Sequence, residues 1–380
     1  MNKSKNQPAP TCPSQSAFTH DQASAQAVQA RKGEHLVLGR SDVESRRPAG
    51  WGDITLVHQA LPEIDFESID LSVEFLGKRL DAPLVIAAMT GGHEDAFEIN
   101  AILARAAQRY GLAMGLGSQR AALKNPELAY TYEVARAEAP DAFLIANIGV
   151  AQLIRQSEGQ PAMSRDGIQR AIDMLRADAL AVHLNFLEEV VQPEGDRRAA
   201  GCREALSALI ASLGAEIPVV VKETGAGIST TVADWIAKAG AAAIDVGGRG
   251  GTSFAALEAR RAMSQEDAAR ARVGELFRDW GIPTPASVAA AATTHLPIIA
   301  TGGVRNGLDM AKAIALGATL VGVARPMLQA VHEGEAELSD SIEQFLLELR
   351  TAMFLTGSPN LAALRKAAYV VSGETKDWLR

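Results

Sequence analysis

The chain has 380 residues, of which 47% are hydrophobic and 22% charged, so its composition is that of a folded globular protein. Asp and Glu outnumber Lys and Arg by 45 to 37, and the resulting charge of −8 disfavours binding to nucleic acid or to an anionic membrane surface. With two cysteines, Cys12 and Cys202, the chain can form neither a disulfide scaffold nor a multi-cysteine zinc or iron–sulfur site.

Residues 1–28 are rich in Ser, Gln, Ala and Pro, and their low apolar content predicts a disordered tail. They lack the apolar core of a secretory signal and the arginines of a transit peptide, so we expect a cytoplasmic enzyme. No apolar run approaches the ~20 residues that a membrane span needs. We expect residues 29–380 to form one domain, because no linker is visible within the repeating pattern that follows.

Eight short apolar runs follow, and between them apolar residues recur with helical periodicity. Continuous apolar runs are typical of parallel strands that are buried on both faces. The predicted strands are residues 83–90, 113–119, 143–149, 179–185, 218–224, 241–248, 297–304 and 320–326. The predicted helices include residues 94–110, 164–177, 200–214, 232–239 and 307–317.

Eight strands that alternate with helices predict an α/β fold, a (β/α)8 TIM barrel with an N-terminal extension. A doubly wound sheet is the alternative, but its first strand should be followed by G-x-G-x-x-G, which is absent here. We expect residues 31–79 to cover the bottom of the barrel or to line the site. Residues 250–285 form the longest interruption, which we interpret as an active-site lid; the alternative is a helical excursion that packs on a neighbour.

Polar residues or glycines stand at the carboxyl ends of all eight predicted strands, where a barrel carries its active site. One such residue would most simply be a satisfied structural group, but eight together favour a functional site. The seventh and eighth strands end in TGGVR (301–305) and VARP (323–326). Glycines let the backbone approach a phosphate and the next helix offers free N–H groups, so these two ends predict a phosphate site.

Two other strand ends carry groups suited to chemistry. Lys222, at the end of the fifth strand, could form a Schiff base or place a positive charge beside an electron-accepting ring, and the nearby phosphate site favours the second. His183 and Asn185 share one face of the fourth strand, and Glu188 and Glu189 follow them. Adjacent carboxylates suit a general acid or base or a magnesium ligand, and an anion nearby favours magnesium.

A series of short motifs, in chain order, identifies the family that this chain resembles. They are RKGEH (31–35), LVHQALPEID (56–65), MTGG (89–92), GSQR (117–120), ANIG (146–149), HLN (183–185), PEGDR (193–197), VKE (221–223), GGRGGTS (247–253), GGVR (302–305) and ETKDWL (374–379). In this combination, from about residue 31 to residue 380, the chain resembles a type 2 isopentenyl-diphosphate isomerase, which is a flavin mononucleotide (FMN) barrel enzyme.

The resemblance implies the reversible conversion of isopentenyl to dimethylallyl diphosphate in isoprenoid biosynthesis, with reduced FMN as acid and base, NADPH as reductant and Mg²⁺ on the diphosphate. For FMN it implies contacts from Ala88, Met89, Thr90, Ser118, Asn147, Lys222, Thr252, Gly303, Arg305, Ala324 and Arg325. For the substrate it implies contacts from Arg31, Lys32, Ser118, Gln119, Arg120, His183, Asn185 and Glu188. The implied catalytic residues are Glu188 and His183, the implied metal ligand is Glu189, and the implied assembly is a homo-oligomer, a tetramer or an octamer.

The sequence departs from the family pattern H-x-N-x-x-Q-E at one position, where Glu188 replaces the glutamine. A carboxylate is a stronger base than an amide, and we hypothesise that Glu188 carries the proton. The departure keeps two alternatives open: an isomerase of a related prenyl phosphate, and a paralogue that binds flavin or prenyl diphosphate without turnover.

Two other flavin- or nucleotide-barrel enzymes are weaker alternatives. An FMN-dependent α-hydroxy-acid oxidoreductase needs a base histidine near an arginine, but His295 precedes a strand and lies at the wrong end of the barrel. An inosine-monophosphate-dehydrogenase-like enzyme needs a cysteine after the sixth strand, where none stands.

Overall fold

The computed structural model describes residues 32–34, 43–214 and 216–379. The predicted tail (1–28) and the predicted substrate residue Arg31 lie outside the described residues. The strands are β1 (Ile54–Leu56), β2 (Val73–Phe75), β3 (Lys78–Leu80), β4 (Leu84–Ile86), β5 (Ala113–Gly115), β6 (Phe143–Gly149), β7 (Ala179–Leu184), β8 (Val219–Glu223), β9 (Ala243–Asp245), β10 (Ile298–Thr301), β11 (Leu320–Val323) and β12 (Tyr369–Val371).

The α-helices are Ala96–Arg109, Arg120–Lys124, Tyr130–Glu138, Arg165–Leu175, Phe186–Val191, Cys202–Leu213, Thr230–Lys238, Phe254–Ser264, Ala268–Leu276, Thr284–Ala292, Gly307–Ala315, Arg325–Glu333, Glu335–Leu355, Leu361–Leu364 and Gly373–Trp378. Short 3₁₀-helices span Trp51–Asp53, Phe66–Ser68, Pro126–Leu128 and Val150–Leu153. Among the described residues, none of the helices combines the length and the apolar composition of a membrane-spanning segment.

Strands β4 to β11 are parallel and close into an eight-stranded barrel, where β9 pairs with β10 and β11 pairs with β4. The predicted (β/α)8 fold is therefore confirmed, and a doubly wound sheet is wrong. The strands are buried on both faces; all seven residues of β6, for example, are buried. Most strands end earlier than predicted, because their last polar and glycine residues leave the hydrogen-bonded ladder and form the loops at the barrel rim.

The helices pack apolar stripes on the outside of the barrel, and the five predicted helices are confirmed with ends that shift by a few residues. Helix Ala96–Arg109 buries Ile99 and Leu103 on one face. Helix Arg165–Leu175 begins where the hydroxyl of Ser164 accepts a hydrogen bond from the N–H of Gly167 at 3.1 Å.

The N-terminal extension reaches both ends of the barrel. At the bottom, the β2–β3 hairpin places Phe75 edge-on against Phe143, the first residue of β6, with ring centroids 5.4 Å apart. At the top, the N–H of Ser45 donates to the carbonyl of Gly251 at 2.9 Å. The segment was expected to cover the bottom of the barrel or to line the site, and different parts of it do each.

The insertion between β9 and β10 forms a wall of the site. Its helices Phe254–Ser264 and Ala268–Leu276 pack on one another and on Phe186–Val191, the short helix that carries Glu188 and Glu189. Gly274 permits this close packing, because a Cβ there would lie 2.5 Å from the carbonyl oxygen of Ala255. The insertion therefore packs on that short helix of its own chain, and its interpretation as a lid stays a prediction.

A buried arginine joins the bottoms of β6 and β7. The Arg136 guanidinium is 2.7 Å from an Asp178 carboxylate oxygen and donates to five backbone carbonyls, those of Ala139, Pro140, Ala142, Leu175 and Arg176. We expect Arg136→Met to lower the free energy of unfolding by about 3–5 kcal/mol. The reason is that buried carbonyl groups lose this donor and the Asp178 carboxylate loses this cation. Urea unfolding followed by circular dichroism measures this change.

Arg165→Met is the matched control. This arginine donates to the carbonyl of Ser212 at 3.0 Å, but its side chain is 55% exposed, so its loss should cost less than about 0.5 kcal/mol. Equal destabilisation by the two variants would contradict the structural role of Arg136.

Candidate active site

A cavity opens at the carboxyl ends of the barrel strands, and residues that follow all eight strands line it. Of the predicted site residues, the structure brings these to its wall: Lys32, Ala88, Met89, Thr90, Ser118, Arg120, Asn147, His183, Asn185, Glu188, Glu189, Lys222, Thr252, Gly303, Arg305, Ala324 and Arg325. Barrel closure is what brings them together, since they span nearly 300 positions of the chain.

Gln119 is the described residue that the structure does not bring to the cavity. Its side chain is fully buried and points outward, where its Nε2 donates to the carbonyl of Ala171 at 2.6 Å. Its Oε1 accepts from the N–H of Asn147 at 2.9 Å. Gln119 thus joins the end of β5 to β6 and supports the active-site residue beside it.

The imidazole of His183 is held in one orientation by Asn147. The Asn147 Nδ2 donates to the carbonyl of Leu116 at 3.0 Å, so its Oδ1 is the atom that faces the His183 Nδ1, at 2.8 Å. Nδ1 must therefore carry a hydrogen and donate it.

Asn185, Glu188 and Glu189 form a compact group beside His183. The Asn185 Nδ2 donates to a carboxylate oxygen of Glu188 at 3.0 Å and to one of Glu189 at 3.2 Å. The Asn185 Oδ1 is buried and has no hydrogen-bond partner. A buried oxygen without a donor, next to two carboxylates, is suited to a hard cation such as Mg²⁺.

The turn after these carboxylates, PEGD in the sequence, holds Glu189 in place. The N–H of Asp196 donates to Glu189 Oε2 at 2.7 Å, and Arg120 Nη1 lies 2.7 Å from Asp196 Oδ2. Gly195 is required here, because a Cβ would lie 1.8 Å from the carbonyl oxygen of Glu189. Arg120, Asp196 and Glu189 are all nearly buried, so each charge is paired as burial requires.

A second chain of polar contacts runs from Glu188 to the insertion. The Gln192 Nε2 donates to Glu188 Oε1 at 2.7 Å and to Glu258 Oε1 at 3.0 Å. The guanidinium of Arg261 then lies 3.2 Å from Glu258 and also pairs with Glu34. Because Lys32 lines the cavity two residues before Glu34, Arg261 joins the segment that carries this lysine to the network around Glu188.

Lys222 is placed as a cation at the rim. Its Nζ donates to the carbonyl of Glu223 at 3.0 Å, and it lines the cavity. Burial raises the pKa of Glu223 to about 7, although backbone N–H groups of residues 225–227 donate to it. Burial also raises the pKa of Asp245, and the Lys222 ammonium opposes that shift. Lys222 therefore lies beside two carboxyl groups whose charged forms burial disfavours.

The ends of β10 and β11 form a cradle for an anion. Gly302 and Gly303 have φ of 131° and 63°, which glycine adopts without strain. A Cβ on Gly251 would lie 2.8 Å from the backbone nitrogen of Gly303, so glycines shape this wall. Arg305 and Arg325 add two guanidinium groups. The cavity therefore has one cationic side here and another at Lys32 and Arg120.

Comparison with known proteins identifies the family of this chain. The chain is 49% identical over 351 residues to the isopentenyl-diphosphate delta-isomerase of Methanosarcina barkeri, covering 92% of this chain and 93% of the relative. It is 48% identical to that of Methanothermobacter thermautotrophicus, covering 93% and 96%. The chain belongs to the isopentenyl-diphosphate delta-isomerase family.

The barrel of this isomerase-family chain is of the flavin type. The family model of FMN-dependent dehydrogenases matches residues 39–134 and 203–371. Among solved structures, a putative lactate oxidase of Pediococcus acidilactici is similar with a TM-score of 0.64, covering 92% of this chain and 94% of the oxidase, at 16% identity. At this identity the likeness shows the fold alone, whereas the isomerase relatives match at 48–49%.

The residues of this isomerase-family site fit FMN and fit a magnesium ion shared with a substrate. For FMN, the glycine cradle with two arginines fits a phosphate, and Lys222 lies at the rim where a ring would be bound. For Mg²⁺, Asn185 Oδ1 and Glu189 are oxygen donors. The described residues contain no group of three or more His, Cys, Asp or Glu that could hold a metal, so such an ion would depend on substrate oxygens.

Several residues of the site could not be identified from the sequence. Gln192 precedes the PEGD turn and Asp196 is its last residue, but their partners depend on how the turn folds back on Glu189. Glu44, Glu258 and Arg261 reach the site from the extension and the insertion, and no local pattern marks them. For Gln192 and Asp196, the one signal in the sequence is that QPEGD directly follows the segment with the paired glutamates.

We expect Gly251→Ala to weaken FMN binding at least about tenfold, because the new Cβ displaces Gly303 from the anion cradle. Gly52→Ala is the matched control: both glycines have ordinary φ, and a Cβ on Gly52 meets nothing within 4 Å. Titration of the cofactor-free protein with FMN, followed by flavin fluorescence, gives the dissociation constants. Equal FMN affinities for the two variants would mean that the FMN phosphate does not bind at this cradle.

Proposed function

We propose that this protein interconverts isopentenyl and dimethylallyl diphosphate on reduced FMN, with NADPH as the reductant and Mg²⁺ on the diphosphate. The observation that carries the proposal is a cavity with two separate cationic sides in a member of this isomerase family. One side, at Arg305 and Arg325, suits the phosphate of the cofactor. The other, at Lys32 and Arg120, suits the diphosphate of the substrate.

The cofactor residues divide by the part of FMN that they would hold. Gly303, Arg305, Ala324 and Arg325 would surround the phosphate, and Ala88, Met89 and Thr90 would lie along the ring. Ser118, Asn147, Lys222 and Thr252 would hold the ring and the ribityl chain. When bound and reduced, FMN supplies an electron-rich ring and a proton donor next to the alkene.

The substrate's diphosphate would be held away from the reacting carbons by Lys32, Ser118, Arg120, His183 and Asn185, and by Arg31 beyond the described residues. Binding energy from these contacts anchors the substrate while the prenyl carbons face the ring. Mg²⁺ held by Glu189 and Asn185 Oδ1 would neutralise part of the diphosphate charge.

Glu188 is the residue of this chain that can take up the proton lost from carbon 2. Its carboxylate is held by Asn185 on one oxygen and by Gln192 on the other, so its position is fixed from two sides. Each carboxylate oxygen accepts one of these bonds and keeps a further acceptor site for a proton. His183 lines the same cavity, and its Nδ1 is held by Asn147 Oδ1 at 2.8 Å.

The test is anaerobic turnover of isopentenyl diphosphate with FMN, NADPH and Mg²⁺, followed by the appearance of dimethylallyl diphosphate. Product formed only when the flavin is reduced is the expected result. Bound flavin without product would refute the isomerase proposal, and prenyl monophosphates would then be the substrates to assay. Bleaching of the flavin by an α-hydroxy acid would instead identify an oxidoreductase.

We expect Glu188→Ala to lower kcat by about 10²–10⁴ with a small change in KM, because it removes the side chain that accepts the proton. Glu188→Gln, which gives the residue of the family pattern, is measured beside it. The control is Glu194→Gln, which removes a carboxylate of the same loop that pairs with Arg261 at 2.8 Å and does not line the cavity. Steady-state kinetics under anaerobic conditions give both constants. Higher activity in Glu188→Gln would mean that the native residue is not the proton carrier.

We expect Glu189→Gln to raise the Mg²⁺ concentration for half-maximal activity at least about tenfold, while FMN still binds with unchanged affinity. The measurement is a Mg²⁺ titration of initial rates after treatment with EDTA, with Glu194→Gln again as control. An unchanged Mg²⁺ requirement would remove Glu189 from the metal site.

The proposal also includes the assembly and the location of the protein: a tetramer or an octamer in the cytoplasm. Sedimentation velocity of the FMN-loaded protein tests the assembly directly.

A further inference from the structure

Glu44, in the N-terminal extension, contacts both arginines of the anion cradle. Its Oε1 lies 2.5 Å from Arg305 Nη2 and 2.8 Å from Arg325 Nη1. One carboxylate oxygen thus bridges two guanidinium groups that come from the ends of two neighbouring strands. This is the pattern of contacts that a phosphate oxygen makes with a pair of arginines.

The backbone around Glu44 is fixed by contacts that do not involve the cradle. The carbonyl of Glu44 accepts from Arg278 Nε at 2.7 Å, and Arg278 is buried. On either side, the N–H of Ser45 donates to Gly251 and the carbonyl of Val43 accepts from Ser253. The carboxylate is therefore presented to the arginines by the fold, and it can leave them by rotation of its own side chain alone.

The charges around the cradle make a carboxylate and a phosphate competitors. Asp309 accepts from the N–H of Arg305 at 3.2 Å and pairs with Lys312 at 3.8 Å, so its charge is largely cancelled. This leaves two guanidinium charges opposite one carboxylate. A phosphate dianion would bring two negative charges to the same donors, and Glu44 held in its place would repel it.

We infer that Glu44 is a built-in competitor for the cofactor's phosphate: it pairs with Arg305 and Arg325 in the cofactor-free protein and yields both to the phosphate when FMN binds. The inference rests on FMN being the cofactor of this site. Glu44 keeps two neighbouring like charges paired before loading, and its displacement reduces the affinity for FMN. A flavin without a phosphate does not displace it.

The test compares FMN with riboflavin, which differs only in lacking the phosphate. Dissociation constants for both are measured by flavin fluorescence on the full-length, cofactor-free protein and its Glu44→Gln variant. We expect the variant to bind FMN about tenfold more tightly and riboflavin within twofold of the native protein. The cofactor-free variant should also melt at a lower temperature, because the two arginines lose their shared carboxylate.

Glu275→Gln is the matched control. Glu275 pairs with Arg46 and with Arg278, so it holds the same segment without touching the cradle. This variant should change the affinities for FMN and riboflavin by the same factor or not at all. Glu44→Ala repeats the test without an amide oxygen that could still accept from the arginines.

Each other outcome overturns the inference. Weaker FMN binding in both Glu44 variants would make Glu44 a support of the arginines and not a competitor. Unchanged FMN binding, or equal changes for FMN and riboflavin, would remove its link to the phosphate. If the native protein binds no FMN, both the proposed cofactor and this inference are wrong. If the native protein binds FMN but the Glu44 variants give one of the results above, only this inference is wrong.

Discussion

Closure of the barrel is the constraint on which the rest of the structure depends. When β9 pairs with β10 and β11 with β4, eight parallel strands must end on one rim. The backbone at that rim leaves the ladder, so its N–H groups and its side chains become available to a ligand. Glycines at positions such as 302 and 303 then decide which parts of the rim a phosphate can approach.

The charged residues of the site are arranged so that each buried charge has a partner. Arg120 pairs with Asp196, which in turn supports Glu189, and Gln192 lies between Glu188 and Glu258. Breaking such a buried pair leaves an uncompensated charge, so the pairs resist rearrangement. The site can thus hold several carboxylates close together without losing its shape.

Elements outside the barrel complete the cavity. The insertion supplies Glu258 and Arg261 behind the carboxylate helix, and the N-terminal extension supplies Lys32 to the cavity wall and Glu44 to the arginines of the anion cradle. Contacts such as that between Glu34 and Arg261 join the two elements across the mouth. The barrel provides the floor of the cavity, and these two additions provide part of its walls.

The sequence by itself determined the strands, the barrel and most of the cavity residues. Buried parallel strands require continuous apolar runs, and the polar residues that follow those runs must lie at the rim. The strands and the rim positions can therefore both be predicted from short stretches of sequence. Only the tertiary structure decided that Gln119 points away from the cavity, and that Glu44 meets Arg305 and Arg325. The physical reason is that side-chain direction and pairing across more than 200 residues depend on packing, which neighbouring residues in the sequence do not specify.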